Sequence, residues 1–214
     1  MTVAENAPPP VVTYISTNVD TNDTTSYSFA SQNIGTATDD RYIVVAAGAH
    51  GAANLDCTIA SISIGGNAAT LHIAPGGTGA RALGIGTLLV PTGSTATIAV
   101  TTSGTAGVMR IFVATVTGLS LGTAYDTDGA KLNISGTTQS VTLDIRKLAF
   151  FYGGGVAAAA SMSWSSAAVL QTADSEVASY ATSFAYLLAG GDNYTETFTQ
   201  TSNSIRGLVA VSFN

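Results

Sequence analysis

Arg41-Tyr42-Ile43-Val44-Val45-Ala46-Ala47 sets a cation directly before an apolar run that is too short for most helices and rich in strand-forming residues. The arrangement recurs. Arg81 opens Ala82-Leu83-Gly84-Ile85 and leads to Leu88-Leu89-Val90, Arg110 opens Ile111-Phe112-Val113, Lys147 opens Leu148-Ala149-Phe150-Phe151-Tyr152, and Arg206 leads into Leu208-Val209-Ala210-Val211. With Arg146 beside Lys147, six of the 7 Lys and Arg residues stand at the mouth of such a run. The cations have two readings: a basic rim for acidic glycans or an acidic neighbouring subunit, or charged guards flanking sticky strands. Consecutive antiparallel strands begin at opposite ends, so the six need not converge, and the guard reading is preferred.

Outward from this stretch the chain keeps the period of strands. Thr25, Tyr27 and Phe29 fall on one face; Ile62 and Ile64 point inward before Gly65-Gly66-Asn67, the strongest hairpin signal present. Val141 to Ile145 alternates, with Thr142 and Asp144 outward, and Lys147 to Tyr152 is apolar on both faces, hence central. Gly153-Gly154-Gly155 predicts a break or bulge, Val156 to Ala160 a further strand, and Tyr180 to Leu188, Tyr194 to Thr199 and Gly207 to Phe213 three more. Turns are predicted at Asn18 to Asp23, Gly35 to Asp40, Pro75 to Gly79, Pro91 to Gly93 and Gly190 to Asn193, with loop over Gly118 to Gly129 and a short edge and turn over Lys131 to Gly136. Turns spaced about 8–12 residues apart predict an antiparallel β-sandwich, jelly-roll-like, as one domain over 11–214. Pro8-Pro9-Pro10 donates no ladder bonds, so residues 1–10 form an extended arm, either docking on a neighbour or fraying.

The totals narrow the function classes. Charged residues are only 9%, against about 25% in an ordinary domain, so hydroxyls and amides must clothe the surface. A net charge of -6 argues against a nucleic-acid partner, whose phosphates require clustered cations. The single Cys57 forms no internal disulfide, and no Cys/His cluster suits zinc. The first residues lack the cationic start and apolar core of a secretory signal, and no apolar stretch reaches the roughly 18 residues of a spanning helix. Synthesis in a cytoplasm without membrane insertion is therefore expected.

Each candidate for chemistry competes with a plain alternative. Gly118-Leu119-Ser120-Leu121-Gly122 matches the nucleophile-elbow pattern, but no helix follows it and both histidines, His50 and His72, precede it. Asp126-Thr127-Asp128-Gly129 begins like a calcium loop without its closing glutamate, and Asp20, Asn22 and Asp23 could gather oxygen ligands; solvated turn residues are preferred for both. His50, Cys57 and His72 are too scattered for a metal or nucleophile pair. Glu196 with Asp192, or Asp174 with Glu176, are preferred as surface charges over a glycosidase pair. Trp164, set among Ser161-Met162-Ser163 and Ser165-Ser166, could stack on a sugar or anchor a partner, although a core position is preferred; Tyr194 beside Asp192 is a second sugar-contact candidate. No catalytic residue, metal ligand or cofactor is assigned.

The run Ser26 to Phe29 through Gly35 to Val45, then Ser61-Ile62-Ser63-Ile64-Gly65-Gly66-Asn67-Ala68-Ala69, Val90-Pro91-Thr92-Gly93-Ser94-Thr95-Ala96-Thr97-Ile98 and Thr115-Val116-Thr117-Gly118-Leu119, resembles small single-domain virion proteins of tailed bacteriophages, also met in prophages and gene-transfer-agent clusters. The resemblance covers most of the chain from about Ser26, and its motifs are turns and strands. It implies a structural component of a virion, either a capsid decoration or head-fibre protein or a tail-tip or fibre protein. Such a protein works through contacts with other virion proteins as a homo-oligomer. The alternative is an adhesin binding a host-surface glycan through Trp164 and Tyr194; an envelope-degrading hydrolase ranks last.

Overall fold

The computed structural model describes residues 8–50, 57–75, 81–131, 136–156, 161–173, 180–201 and 205–214, and among these there is no helix. The strands are β1 (Val11–Asp20), β2 (Thr24–Asn33), β3 (Tyr42–His50), β4 (Ile59–Ile64), β5 (Asn67–Ala68), β6 (Thr70–Ile73), β7 (Arg81–Leu89), β8 (Thr95–Ala106) and β9 (Val108–Thr117). They continue as β10 (Asp126–Lys131), β11 (Thr138–Ile145), β12 (Leu148–Val156), β13 (Met162–Trp164), β14 (Ala168–Ala173), β15 (Tyr180–Leu188), β16 (Gly191–Gln200) and β17 (Ile205–Phe213). Every pairing among them is antiparallel.

The first half forms two sheets, β1-β9-β3-β7-β6 and β2-β8-β4-β5, and the second half forms β10-β17-β12-β15-β14 and β11-β16-β13. Matching β1, β2, β3, β4, β6, β7, β8 and β9 in turn with β10 to β17 reproduces both orders, with β5 an addition to the first half. Each half is a jelly roll: the first strand lies beside the last, the last beside the third, and the second beside the seventh strand of the unit in the facing sheet. The all-β sandwich expectation holds. The single sandwich over 11–214 becomes two of the same topology, fused.

The fusion follows from side-chain parity. On β3, Ile43, Val45 and Ala47 face β2, β4 and β8 in the first core, whereas Val44 and Ala46 face the second half. Phe112, Ala114 and Val116 of β9 meet Phe150 and Tyr152 of β12, Phe184 of β15 and Val209, Val211 and Phe213 of β17 in a core shared by the two halves. Phe151, Phe198, Trp164, Val141 and Leu143 fill the third core. The molecule is thus four sheets deep, and its middle sheets are apolar on both faces because both are covered. The outer faces carry hydroxyls: Ser61 Oγ and Thr101 Oγ1 lie 2.7 Å apart on the first, and Ser140 pairs with Thr197 at 2.8 Å and Thr142 with Thr195 at 2.9 Å on the other. This is where the low charge of the sequence is accommodated.

Several local expectations hold. Gly65 and Gly66 turn the β4–β5 hairpin with φ of 60° and 82°, which side chains resist. The glycines after Tyr152 stay within β12 and shift its register against β17 between Gly154 and Gly155. The loop expected over Gly118 to Gly129 is corrected, since Asp126 to Gly129 belong to β10. That strand lacks β propensity but is held by pairing with β17, and a Cβ on Gly129 would lie 2.6 Å from Leu208 O, so only glycine allows this approach. Residues 157–160, 76–79, 132–135 and 1–7 of the predicted strand, loop, turn and arm lie outside the described residues.

The guard reading of the cations is corrected for three of them. Arg41, Arg81 and Arg110 are buried. Arg41, 1% exposed, donates from Nε to Val90 O (2.9 Å), from Nη1 to Gly35 O (2.7 Å) and from Nη2 to Thr92 O (3.0 Å) and Gly93 O (2.9 Å). A planar fork with five donors suits a knot of carbonyls where two loops meet, which a guard lysine could not serve. Burial lowers the Arg41 pKa below the usual arginine value. As expected, the cations do not converge: Tyr42 and Leu148, next to Arg41 and Lys147, begin their strands at the end where the arm enters, whereas Arg81 and Arg110 pair with His50 and Gly48 at the other.

Candidate functional site

The arm and the ends of both middle sheets meet around a cleft of about 200 Å³ lined by Pro8, Pro9, Pro10, Gly118, Arg146, Lys147, Leu188 and Ala189. Pro10 is buried, while Pro8 and Pro9 are exposed, so the described part of the arm crosses the end of the first half and reaches the second. Gly118 follows β9 with φ of 80°, and its N–H donates to Asp40 Oδ2 at 2.7 Å, which holds the Asp40 carboxyl below the usual range.

Arg146 lies in the turn between β11 and β12. It donates from Nε to Tyr125 OH at 3.1 Å, its guanidinium carbon sits 5.5 Å from the centre of the Tyr125 ring, and its Nη2 pairs with Asp192 Oδ1 at 2.6 Å. The Tyr125 hydrogen bond first, then the Asp192 charge, raise the Arg146 pKa above the ordinary value. Tyr125 is 40% exposed and forms an aromatic platform beside a cation and a carboxylate. Sequence reasoning missed it, because a tyrosine inside a Gly- and Ser-rich loop carries no periodic signal.

Of the sugar-contact candidates, Asp192 is exposed and bound to Arg146, but Trp164 is not displayed. It is 9% exposed, its ring lies 4.7 Å from that of Phe198 and 5.7 Å from that of Phe151, and its Nε1 donates to Ser183 Oγ at 2.9 Å. Tyr194 is half-buried and donates to Glu196 Oε2 at 2.7 Å; burial is the first cause raising its pKa. Glu196 is wholly buried rather than a surface charge. Its two oxygens also accept from Ser165 Oγ (2.8 Å), Ser166 N (2.9 Å) and Ala167 N (3.1 Å), so one carboxylate closes the turn after β13. Asp174 and Glu176 lie outside the described residues.

The other motifs are absorbed by the fold. Asp126 Oδ2 accepts from Asp144 N at 2.8 Å and Asp128 Oδ2 from Thr142 N at 2.7 Å, so these carboxylates span from β10 to β11 across the edge of the second sandwich. Asp144 Oδ1 in turn accepts from Asn193 N at 2.7 Å. Asp20 accepts from Asn22 N at 2.9 Å as a turn-stabilising side chain. Among the described residues no group of three or more His, Cys, Asp and Glu could hold a metal ion.

Ser120 Oγ lies 3.2 Å from Tyr42 OH, and no histidine hydrogen-bonds it. Thr87 gives its one hydroxyl proton to Leu121 O at 2.7 Å, so His72 Nε2 donates to Thr87 Oγ1, also at 2.7 Å. Burial lowers the His72 pKa. Among the described residues no helix is long and apolar enough to cross a membrane.

No family model and no curated protein matches the chain. Among solved structures it is similar to dimeric latent PorU from Porphyromonas gingivalis, at 9% identity and a TM-score of 0.30, over 99% of this chain but only 22% of that one. It is also similar to A223, a turret protein in Sulfolobus turreted icosahedral virus, at 13% identity and a TM-score of 0.19, over 94% of this chain and 98% of that one. Likenesses this low carry no argument about function.

Proposed function

We propose that the protein is a non-enzymatic structural component of a tailed-phage virion that works by surface contact with other virion proteins and with copies of itself. The observation that supports this most is the fate of its reactive groups. Asp126, Asp128, Asp144 and Glu196 accept the fold's own backbone N–H groups, and the outer faces left to meet other molecules are neutral hydroxyl sheets. The phage setting rests on the motifs around Arg41, Gly65-Gly66 and Pro91-Thr92-Gly93. Jelly rolls recur in viral capsid and lectin domains, which is a likeness of fold. Quantitative mass spectrometry of gradient-purified particles is the test. A fixed copy number per particle is expected; abundance in the lysate with none in particles would overturn the reading.

A glycan-binding role has one observation in its favour, the exposed Tyr125 ring beside Arg146 and Asp192. Trp164, another glycan-contact candidate, is buried, in line with the core position preferred for it. If the adhesin reading is correct, Tyr125→Ala abolishes glycan-array binding while Trp164→Phe, which keeps the core filled, leaves it intact.

A further inference from the structure

The duplication supplies an internal comparison at the end where the arm enters. Arg41 and Lys147 each stand one residue before the equivalent strand, β3 in the first half and β12 in the second. Each also offers its carbonyl to the residue that follows the neighbouring strand: Val90 N donates to Arg41 O at 2.9 Å, and Ala189 N to Lys147 O at 3.1 Å. The chain around them differs. In the first half residues 34–41 and 90–94 make the two connections, and the Arg41 fork is sunk among their carbonyls, which leaves it 1% exposed. In the second half the same connections shrink to residues 146–147 and 189–190. Lys147 is exposed instead, and the place that loop carbonyls fill in the first half is open as the cleft beside Leu188, itself 39% exposed.

We infer that this cleft is a docking site for an extended segment of a partner protein that carries a carboxylate beside an apolar side chain. Such a segment gives Lys147 the oxygen acceptors that the longer loops of the first half give Arg41. Three features fix its chemistry. Arg146 is already paired with Asp192 at 2.6 Å, whereas Lys147 has no carboxylate partner among the described residues, so an incoming segment meets an uncompensated cation. On a chain of net charge -6 whose Arg41, Arg81 and Arg110 are buried, that cation selects an acidic group. The facing wall is Pro8 to Pro10, which offers rings and carbonyls but no N–H, and Leu188 borders the same space, so the side chain beside the acid is apolar. The volume, about 200 Å³, is below the roughly 300–1,000 Å³ of pockets that enclose a small-molecule ligand, so it admits a side chain or two of a segment that continues outside. The inference rests on the reading that the chain works by contact with other proteins, and gives that contact a place without requiring a phage particle.

A library of short random peptides, capped at both ends and selected on the full chain, tests it. Selected binders are expected to carry Asp or Glu next to Leu, Ile, Val or Phe, and Lys147→Glu is expected to weaken them at least about tenfold with an unchanged thermal melt. A library that yields no saturable binder, binders without the acid, or binders indifferent to Lys147→Glu overturns the inference. Should the variant fail to fold, amide resonances of the wild type decide: shifts at Lys147, Leu188 and Ala189 on adding a selected peptide support the inference, and shifts confined to other places overturn it. Binding gained only when residues 1–7 are removed would assign the cleft to the chain's own start and overturn a partner. Absence from purified particles would sink the virion reading and leave the cleft untouched, whereas a failed selection would leave residence in a particle untouched.

Discussion

Arg41→Lys keeps the charge just before β3 and removes the fork. The arginine makes four hydrogen bonds to the carbonyls of Gly35, Val90, Thr92 and Gly93, which converge from two loops. An ammonium on an unbranched stem reaches one or two of them, so at least two buried carbonyls lose a charged donor. Hydrogen bonds to charged groups are worth about 1.5–3 kcal/mol each, and an unpaired buried acceptor costs a similar amount, so a loss of about 3 kcal/mol is expected. For a chain of this size each kcal/mol lowers Tm by about 2–4 °C, giving a fall of about 6–12 °C. Urea unfolding with an unchanged m-value measures the loss directly. Arg146→Lys is the control: its partners are exposed, and no measurable change is expected. A loss under about 1 kcal/mol for Arg41→Lys, equal to that of the control, would refute the view that carbonyl geometry, rather than charge, places arginine there.

Three further outcomes are expected. Glu196→Gln turns an acceptor for four donors into a group with one accepting oxygen; a cost of about 2–4 kcal/mol, with a changed emission spectrum from the adjacent Trp164, should appear in chemical unfolding followed by fluorescence. His72 has a folded-state pKa below the ordinary 6.5, so the unfolded chain takes up the proton first; stability falls as pH drops below that value and levels off beneath the folded pKa, and His72→Gln should flatten this slope in pH-dependent melts. Phe112→Ala opens the shared core where its ring meets Tyr152 at 5.6 Å and Phe184 at 6.0 Å, and should cost about 3–5 kcal/mol by denaturant titration, with both halves weakened because the layer belongs to both.

Much of the local structure was legible because a strand covered on one face or on both writes its period into the chain. Ile62 and Ile64 with Gly65-Gly66 announced a hairpin, and Lys147 to Tyr152 announced a central strand. The duplication was not legible. Topology is conserved between the halves through backbone pairing, while the side chains that fill equivalent places differ: Val44 and Ala46 of β3 answer to Phe150 and Tyr152 of β12, small residues facing large ones across one core. β10 hid for a related reason, since its stability comes from β17 and from the N–H groups of β11 rather than from its own residues. At the candidate site, Pro8 to Pro10 were legible as an arm and Asp192 as an exposed charge. A core place for Trp164 was the preferred reading and it holds; the burial of Glu196, read as a surface charge, depended on the Ser165 to Ala167 turn, 29–31 residues away in sequence.

By itself the sequence determined an all-β, weakly charged chain with an arm, because periodicity, turn chemistry and composition act within a few residues. Only the tertiary structure decided what the cations before each strand are for. Whether Arg41 guards a strand in water or knots two buried loops depends on where carbonyls from residues 35 and 90–93 arrive, and that is fixed by packing, not by the residues beside it.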